Sequence, residues 1–149
     1  MQIWVDADAC PGEVKQLLFR AAERTKTKVT LVANQPLRTP RSEFVESVLV
    51  PPGLNVADQR IVELVKPGDL VITADIPLAA EVVAQGGQGM NPRGELYTEA
   101  NIGERLATRN LMDALRGGDQ ITGGPTTFTA KDRQAFANQL DRWLTTAKK

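Results

Sequence analysis

The chain has 149 residues, enough for one hydrophobic core, and its 42% apolar and 24% charged content is that of an ordinary globular protein, not a disordered or fibrous one. It contains no histidine and one cysteine, which excludes Ser-His-Asp and Cys-His catalysis, zinc sites built on imidazole or on several thiolates, and any internal disulfide. The formal net charge is zero, against non-specific adhesion to duplex nucleic acid, yet residues 1–41 carry seven Lys/Arg to four Asp/Glu and residues 42–81 carry two to seven.

Ile3, Trp4 and Val5 form an apolar run ending in Asp6, which predicts a buried strand. Pro11 suits the first turn of a helix, and Val14, Leu17, Leu18, Ala21 and Ala22 keep helical spacing as far as Arg24. Lys28 to Ala33 is β-branched and predicts the second strand; Pro36 and Pro40 then make a loop of the segment 34–42. Phe44 to Val50 is a third strand, closed by Pro51-Pro52-Gly53, and Asn55 to Val65 a short helix. The turn Pro67-Gly68-Asp69 leads into the apolar run Leu70 to Ala74, a central strand that delivers Asp75 at its carboxyl end. A helix runs from Pro77 through Val83 and stops at Gly86-Gly87; a weak strand near Gly89 and Met90 and a turn at Pro92-Arg93-Gly94 follow.

The last third reads as helical. One helix extends from Thr98 or Glu99 to Leu115, a Gly/Pro loop covers 121–127, and Phe136, Leu140, Trp143 and Leu144 mark a final amphipathic helix. Thr129 and Asp132 resemble a capping box at its start, with Asp in place of the usual Glu. No repeat or linker interrupts the chain, so one domain is expected over 1–149. Strands alternating with helices predict right-handed βαβ units, giving a three-layer α/β/α domain with a mostly parallel sheet. No apolar run approaches the roughly 18 residues of a membrane span, and the acidic start MQIWVDADAC lacks the pattern of a signal peptide. With no disulfide, a cytoplasmic setting is expected.

In such sheets ligands bind beyond the carboxyl ends of the strands, where Asp6 and Asp75 fall. Asp8 follows the first strand by two residues, and Asp58 opens the short helix after the third strand. Four carboxylates brought together repel one another and call for a cation, and oxygen donors without imidazole or thiolate suit Mg²⁺ or Mn²⁺. Such an ion is also the most direct route to hydrolysis in a protein without histidine. The plainer reading is that aspartates at strand ends and helix starts serve as caps and turn formers, Asp58 and Asp69 above all. Asn34 after the second strand, Arg38 and Arg41 in the proline-rich loop, Arg93 in its turn, and Arg105 with Arg109 on one helix face are candidates for binding a substrate phosphate. Solvated side chains and surface ion pairs are the alternative for each. Cys10 precedes a helix whose dipole would lower its thiol pKa, although no partner is there to activate it. Trp4 and Trp143 read as core, and aromatic content of 5% gives no base-stacking platform. Gly123-Gly124-Pro125 lacks the Lys-Ser/Thr of a phosphate loop.

Ile-Trp-Val-Asp-Ala-Asp-Ala-Cys-Pro at 3–11, Thr-Leu-Val-Ala-Asn-Gln at 30–35 and Asp-Leu-Val-Ile-Thr-Ala-Asp-Ile-Pro-Leu-Ala at 69–79 resemble the bacterial YaiI/YqxD family. The blocks at 91–98 and 121–125 fit the same pattern. More distantly, the first-strand Asp6, the helix-opening Asp58 and the strand end Thr73-Ala74-Asp75 resemble PIN-like nucleases. That similarity implies a PIN-like α/β fold and metal-dependent ribonuclease chemistry on a quartet of acids, with Asp6, Asp58 and Asp75 as ligands. The chain departs from the pattern where a proline-rich loop replaces the helix that carries the second acid, leaving Asp8 as the substitute. The leading expectation is therefore a nuclease acting on single-stranded RNA. A haloacid-dehalogenase-like phosphatase is a second, since Val-Asp-Ala-Asp at 5–8 mimics its nucleophile motif and Asp69 with Asp75 its distal acid pair. A non-catalytic module binding RNA or protein is the third.

Overall fold

Uninterrupted apolar runs make the middle of the sheet. In the computed structural model, which describes residues 1–53, 55–116 and 128–147, β1 (Ile3–Asp6), β2 (Val29–Ala33), β3 (Val45–Leu49), β4 (Leu70–Ile72), β5 (Gln88–Met90) and β6 (Leu96–Tyr97) form one sheet in the order β3-β2-β1-β4-β5-β6. The first five strands are parallel; β6 runs antiparallel to β5. β2 and β4 are buried along their whole length, as strands covered on both faces must be.

Alternation along the strands divides the core in two. Val5, Leu31 and Ile72 pack with Leu18 of α1 (Gly12–Thr25) and with Phe136 and Leu140 of α5 (Ala130–Ala147). Trp4, Val32 and Val71 face the other way, onto Ile61 of α2 (Val56–Leu64) and Val82 of α3 (Ile76–Ala84). The remaining helix, α4 (Ile102–Arg116), packs against α3. The result is the three-layer α/β/α arrangement predicted from sequence. Among the described residues no helix is long and apolar enough to cross a membrane.

Strand order locates the edge where Asp6 and Asp75 fall. From β1 the chain moves outward to β2 and β3, then crosses back to lay β4 on the other side of β1. The strand order therefore reverses between β1 and β4, and a crevice opens beyond their carboxyl ends.

Several boundaries differ from expectation for local reasons. β6 is unforeseen because two residues carry no periodicity; it pairs with Gly89, where an added Cβ would lie 3.1 Å from that of Ala79 and 3.4 Å from the Tyr97 ring. The helix expected from Thr98 starts at Ile102, because the Asn101 side chain accepts from the Thr98 N–H at 2.9 Å and donates to the Leu96 carbonyl at 2.8 Å, folding 98–101 into a turn. Ala7–Ala9 form a single unpredicted 3-10 turn. The capping box is present: Asp132 Oδ2 accepts from the Thr129 N–H at 3.0 Å and Thr129 Oγ1 from the Asp132 N–H at 3.2 Å. The expected loop at 121–127 lies outside the described residues.

Asp69 ties the two central strands together at the opposite, amino end. It is 1% exposed; Oδ1 accepts from the Gln2 N–H, and Oδ2 from the Trp4 indole and the Lys66 N–H, each at 3.0 Å. Its role is structural. Asp69→Ala strands these donors, and urea denaturation followed by tryptophan fluorescence is expected to show a loss of about 3 kcal/mol. A loss below about 1 kcal/mol would mean that the lash does not hold β1 to β4.

Candidate active site

Thr73, just past the end of β4 and 2% exposed, joins two of the acids. Its hydroxyl donates to Asp6 Oδ2 at 3.0 Å and accepts from the Asp75 N–H at 3.0 Å. Asp75 is the N-cap of α3, with Oδ1 accepting from the Leu78 N–H at 3.1 Å and Pro77 in the first turn behind it. Asp75 is thus both a cap and a member of the acidic edge.

Asp58 is not the cap of α2. That position belongs to Asn55, in left-handed conformation at φ 63° and without a side-chain cap bond, which leaves the Asp58 carboxyl in the first turn facing the other acids. Burial, then a hydrogen bond shared with Asp75, then the charges of Asp6, Asp75 and Glu81 push its pKa from 3.8 to about 7. Asp6 is also raised, first by burial and then by the charges of Asp75 and Asp8, against the lowering effect of the Thr73 hydroxyl. Asp8 is exposed and turned toward the loop after β2, where its Oδ2 accepts the Asn34 N–H at 2.9 Å. Asn34 therefore meets the acidic edge through its backbone.

Three elements thus bring Asp6, Asp58 and Asp75 into mutual electrostatic contact, with Asp8 beside Asp6. Among the described residues no three acidic or cysteine side chains already stand as a cage for a metal ion. The acids are held by the Thr73 hydroxyl and by backbone N–H groups. Next to them opens a cleft of about 300 Å³ lined by Asn55, Asp58, Gln59, Asp75, Glu81 and Arg109, among others.

Over residues 4–146 the chain matches the family model described as "Uncharacterized BCR, YaiI/YqxD family". The chain belongs to the YaiI/YqxD family. It is 63% identical over 145 residues to a UPF0178 protein of Alkalilimnicola ehrlichii, covering 97% of this chain and 98% of the relative. It is 60% identical over 148 residues to a UPF0178 protein of Yersinia pestis (99% and 97% covered) and 58% identical over 149 residues to one of Cronobacter sakazakii (100% and 99%). No solved structure matches the chain.

In this YaiI/YqxD member the arginines suggested by sequence have separate fates. Arg93 pairs with Asp132 at 2.5 Å, bracing the start of α5, and Arg105 pairs with Glu95 at 2.5 Å. Only Arg109 lines the acidic cleft. Arg38 and Arg41 are exposed on the loop between β2 and β3, and among the described residues neither makes an ion pair. Cys10 departs from expectation: burial outweighs the nearby Lys15 charge and pushes its thiol up to about 12, so the helix start does not activate it. Asp69 and Asp75 stand at opposite ends of β4, so they do not assemble the distal acid pair of the phosphatase reading.

Sequence reading missed Thr73 as a clip and Glu81 as a neighbour of Asp58. Thr73 was within reach, since a hydroxyl two residues before a strand-end aspartate suits a local side-chain-to-backbone bond. Glu81 gave no such signal, because only the packing of α2 against α3 brings it to Asp58. A larger cavity, about 740 Å³, lies at the amino end of the sheet against Gly68 and Gly87; among the described residues that line it, Glu99 is the ionisable one. The acids cluster at the smaller cleft.

The raised Asp58 pKa has a definite sign in stability. Below about pH 4 the group is protonated in both folded and unfolded chains; as pH rises toward 7 the unfolded chain ionises first, and stability is lost. Asp58→Asn is expected to raise the melting temperature at about pH 8 and to leave it unchanged at about pH 4, as differential scanning calorimetry would record. An equal shift at both pH values would show that the carboxyl is not held protonated by its neighbours.

Proposed function

We propose that this protein is a metal-dependent phosphodiesterase acting on single-stranded nucleic acid, RNA foremost, with Asp6, Asp58 and Asp75 holding Mg²⁺ or Mn²⁺. The supporting observation is the convergence of three aspartates from β1, α2 and the N-terminus of α3 at the switch-point crevice, where burial first and the neighbouring acids second raise the pKa of Asp58 and of Asp6. Partly buried carboxylates gathered at one edge gain from a cation that neutralises them. The donor chemistry fits a hard ion: carboxylate oxygens, with the amides of Asn55 and Gln59 in the same cleft and neither imidazole nor thiolate. The PIN-like spacing of the acids points the same way.

A bound divalent ion would supply Lewis acidity toward a phosphoryl oxygen and toward water. The chain's own residues do the positioning. Thr73 fixes the Asp6 carboxylate, and the α3 N-terminus fixes that of Asp75. Arg109 sets a guanidinium on the cleft wall, where it would meet a substrate phosphate. Arg38 and Arg41, exposed on the loop between β2 and β3, would offer further guanidinium groups to a strand of phosphates.

The test is Mn²⁺-dependent cleavage of end-labelled single-stranded RNA. Asp6→Asn and Asp75→Asn are expected to slow it at least about 100-fold, since several kcal/mol of charge stabilisation is at stake. Undiminished cleavage in both variants would overturn the proposal. RNA binding without cleavage would favour a non-catalytic module, and turnover of a simple phosphomonoester a phosphatase.

A further inference from the structure

We infer that the outer edge of β3 is an interaction surface for a second copy of this chain, the two strands pairing antiparallel about a two-fold axis at Val48. The inference does not depend on the metal reading of the acidic cleft.

A strand in a parallel sheet turns the backbone groups of successive residues to alternate sides. The Phe44 carbonyl accepts from Val29 at 2.7 Å and the Val50 N–H donates to Ala33 at 2.9 Å, so Glu46 and Val48 also bond to β2. Val45, Ser47 and Leu49 therefore point their N–H and C=O groups outward, where among the described residues no other strand pairs with them. The opposite edge of the sheet is curtailed, since β6 has two residues and runs into the turn held by Asn101. Val45 is buried, but Ser47 is exposed and Leu49 is 64% exposed, so the open stretch is 47–49. It contains none of the prolines or charges that shield an edge, and Pro51 limits it.

Unpaired backbone groups in a row are met by another strand, and the side chains around them fit the same strand reversed. With the axis at Val48, Ser47 of each copy exchanges both backbone hydrogen bonds with Leu49 of the other. Val48, half-buried against the α2 layer, meets its own counterpart, and the two exposed Leu49 side chains become diagonal neighbours on the other face. Glu46 falls opposite Val50 of the second copy, so like charges do not meet. Charge complementarity continues on α2, where Gln59, Arg60 and Glu63 wall a groove of about 340 Å³ beside Val48 and Leu49. Arg60 and Glu63 are exposed, opposite in sign and one turn apart, with 3.4 Å between them. A two-fold axis reverses α2, which sets Arg60 of each copy against Glu63 of the other.

Sedimentation equilibrium of the full chain over a concentration series tests this. The mass is expected to rise reversibly from one chain to two and no further, because a two-fold contact closes on itself. Ser47→Pro removes one outward N–H per copy and leaves the bonds to β2 intact; it is expected to weaken self-association at least about tenfold and to leave the melting temperature of the dilute chain unchanged. Arg60→Glu is expected to weaken self-association at least about threefold, and Arg60→Glu combined with Glu63→Arg to restore it, a recovery that a damaged fold does not give. If Ser47→Pro does not fold, the charge swap decides alone. A wild-type chain that stays single at every concentration would overturn the inference and leave the edge to a strand of another protein. Association that ignores Ser47→Pro in a folded chain, or that the charge swap fails to restore, would equally overturn it.

Discussion

Repulsion among carboxylates in a partly dry crevice is the constraint around which this structure is organised. Asp6, Asp58 and Asp75 come from elements far apart in sequence, and the folded chain must oppose the cost of bringing them together. It does so by three means. The Thr73 hydroxyl is donated to Asp6, the first turn of α3 accepts Asp75 as its cap, and burial together with the neighbouring acids raises the Asp58 pKa to about 7. The first two each relieve one charge by a local bond and leave the group of acids with negative charge to spare.

The two aspartates flanking β4 show how strongly surroundings decide the chemistry of a side chain. Asp69, at the amino end, receives three N–H donors in a dry pocket and serves as a fastener between strands. Asp75, six residues on, stands at the carboxyl end where the strand order reverses, beside two other acids and an open cleft. A fully satisfied buried carboxylate adds rigidity; a crowded one at a crevice is stability given up at a place where a ligand can restore it. The lash at Asp69 fixes the relative height of β1 and β4, and with it the distance between Asp6 and Thr73.

The cations are sorted by the same rule. Arg93 and Arg105 find carboxylates close by, in Asp132 and Glu95, and brace the starts of α5 and α4. Arg109, one turn beyond Arg105 on α4, is instead carried to the wall of the acidic cleft by the packing of α4 on α3. Sharing a helix face therefore did not give Arg105 and Arg109 a shared role.

Much of what depends on short range was legible along the chain. Short apolar runs placed β1, β2 and β4, helical spacing placed α1 and α5, and strand ends placed Asp6 and Asp75 at the carboxyl edge, because these follow from local periodicity and from the general geometry of parallel sheets. Thr129 and Asp132 declared their helix start for the same reason. What only the tertiary structure decided was which charges meet. Glu81 reaches Asp58 because α2 and α3 pack side by side, Asp8 turns to Asn34 because β2 lies next to β1, and Arg93 is drawn to Asp132 across 39 residues. Electrostatic partners are chosen by distance in space, which a linear pattern of charges does not contain.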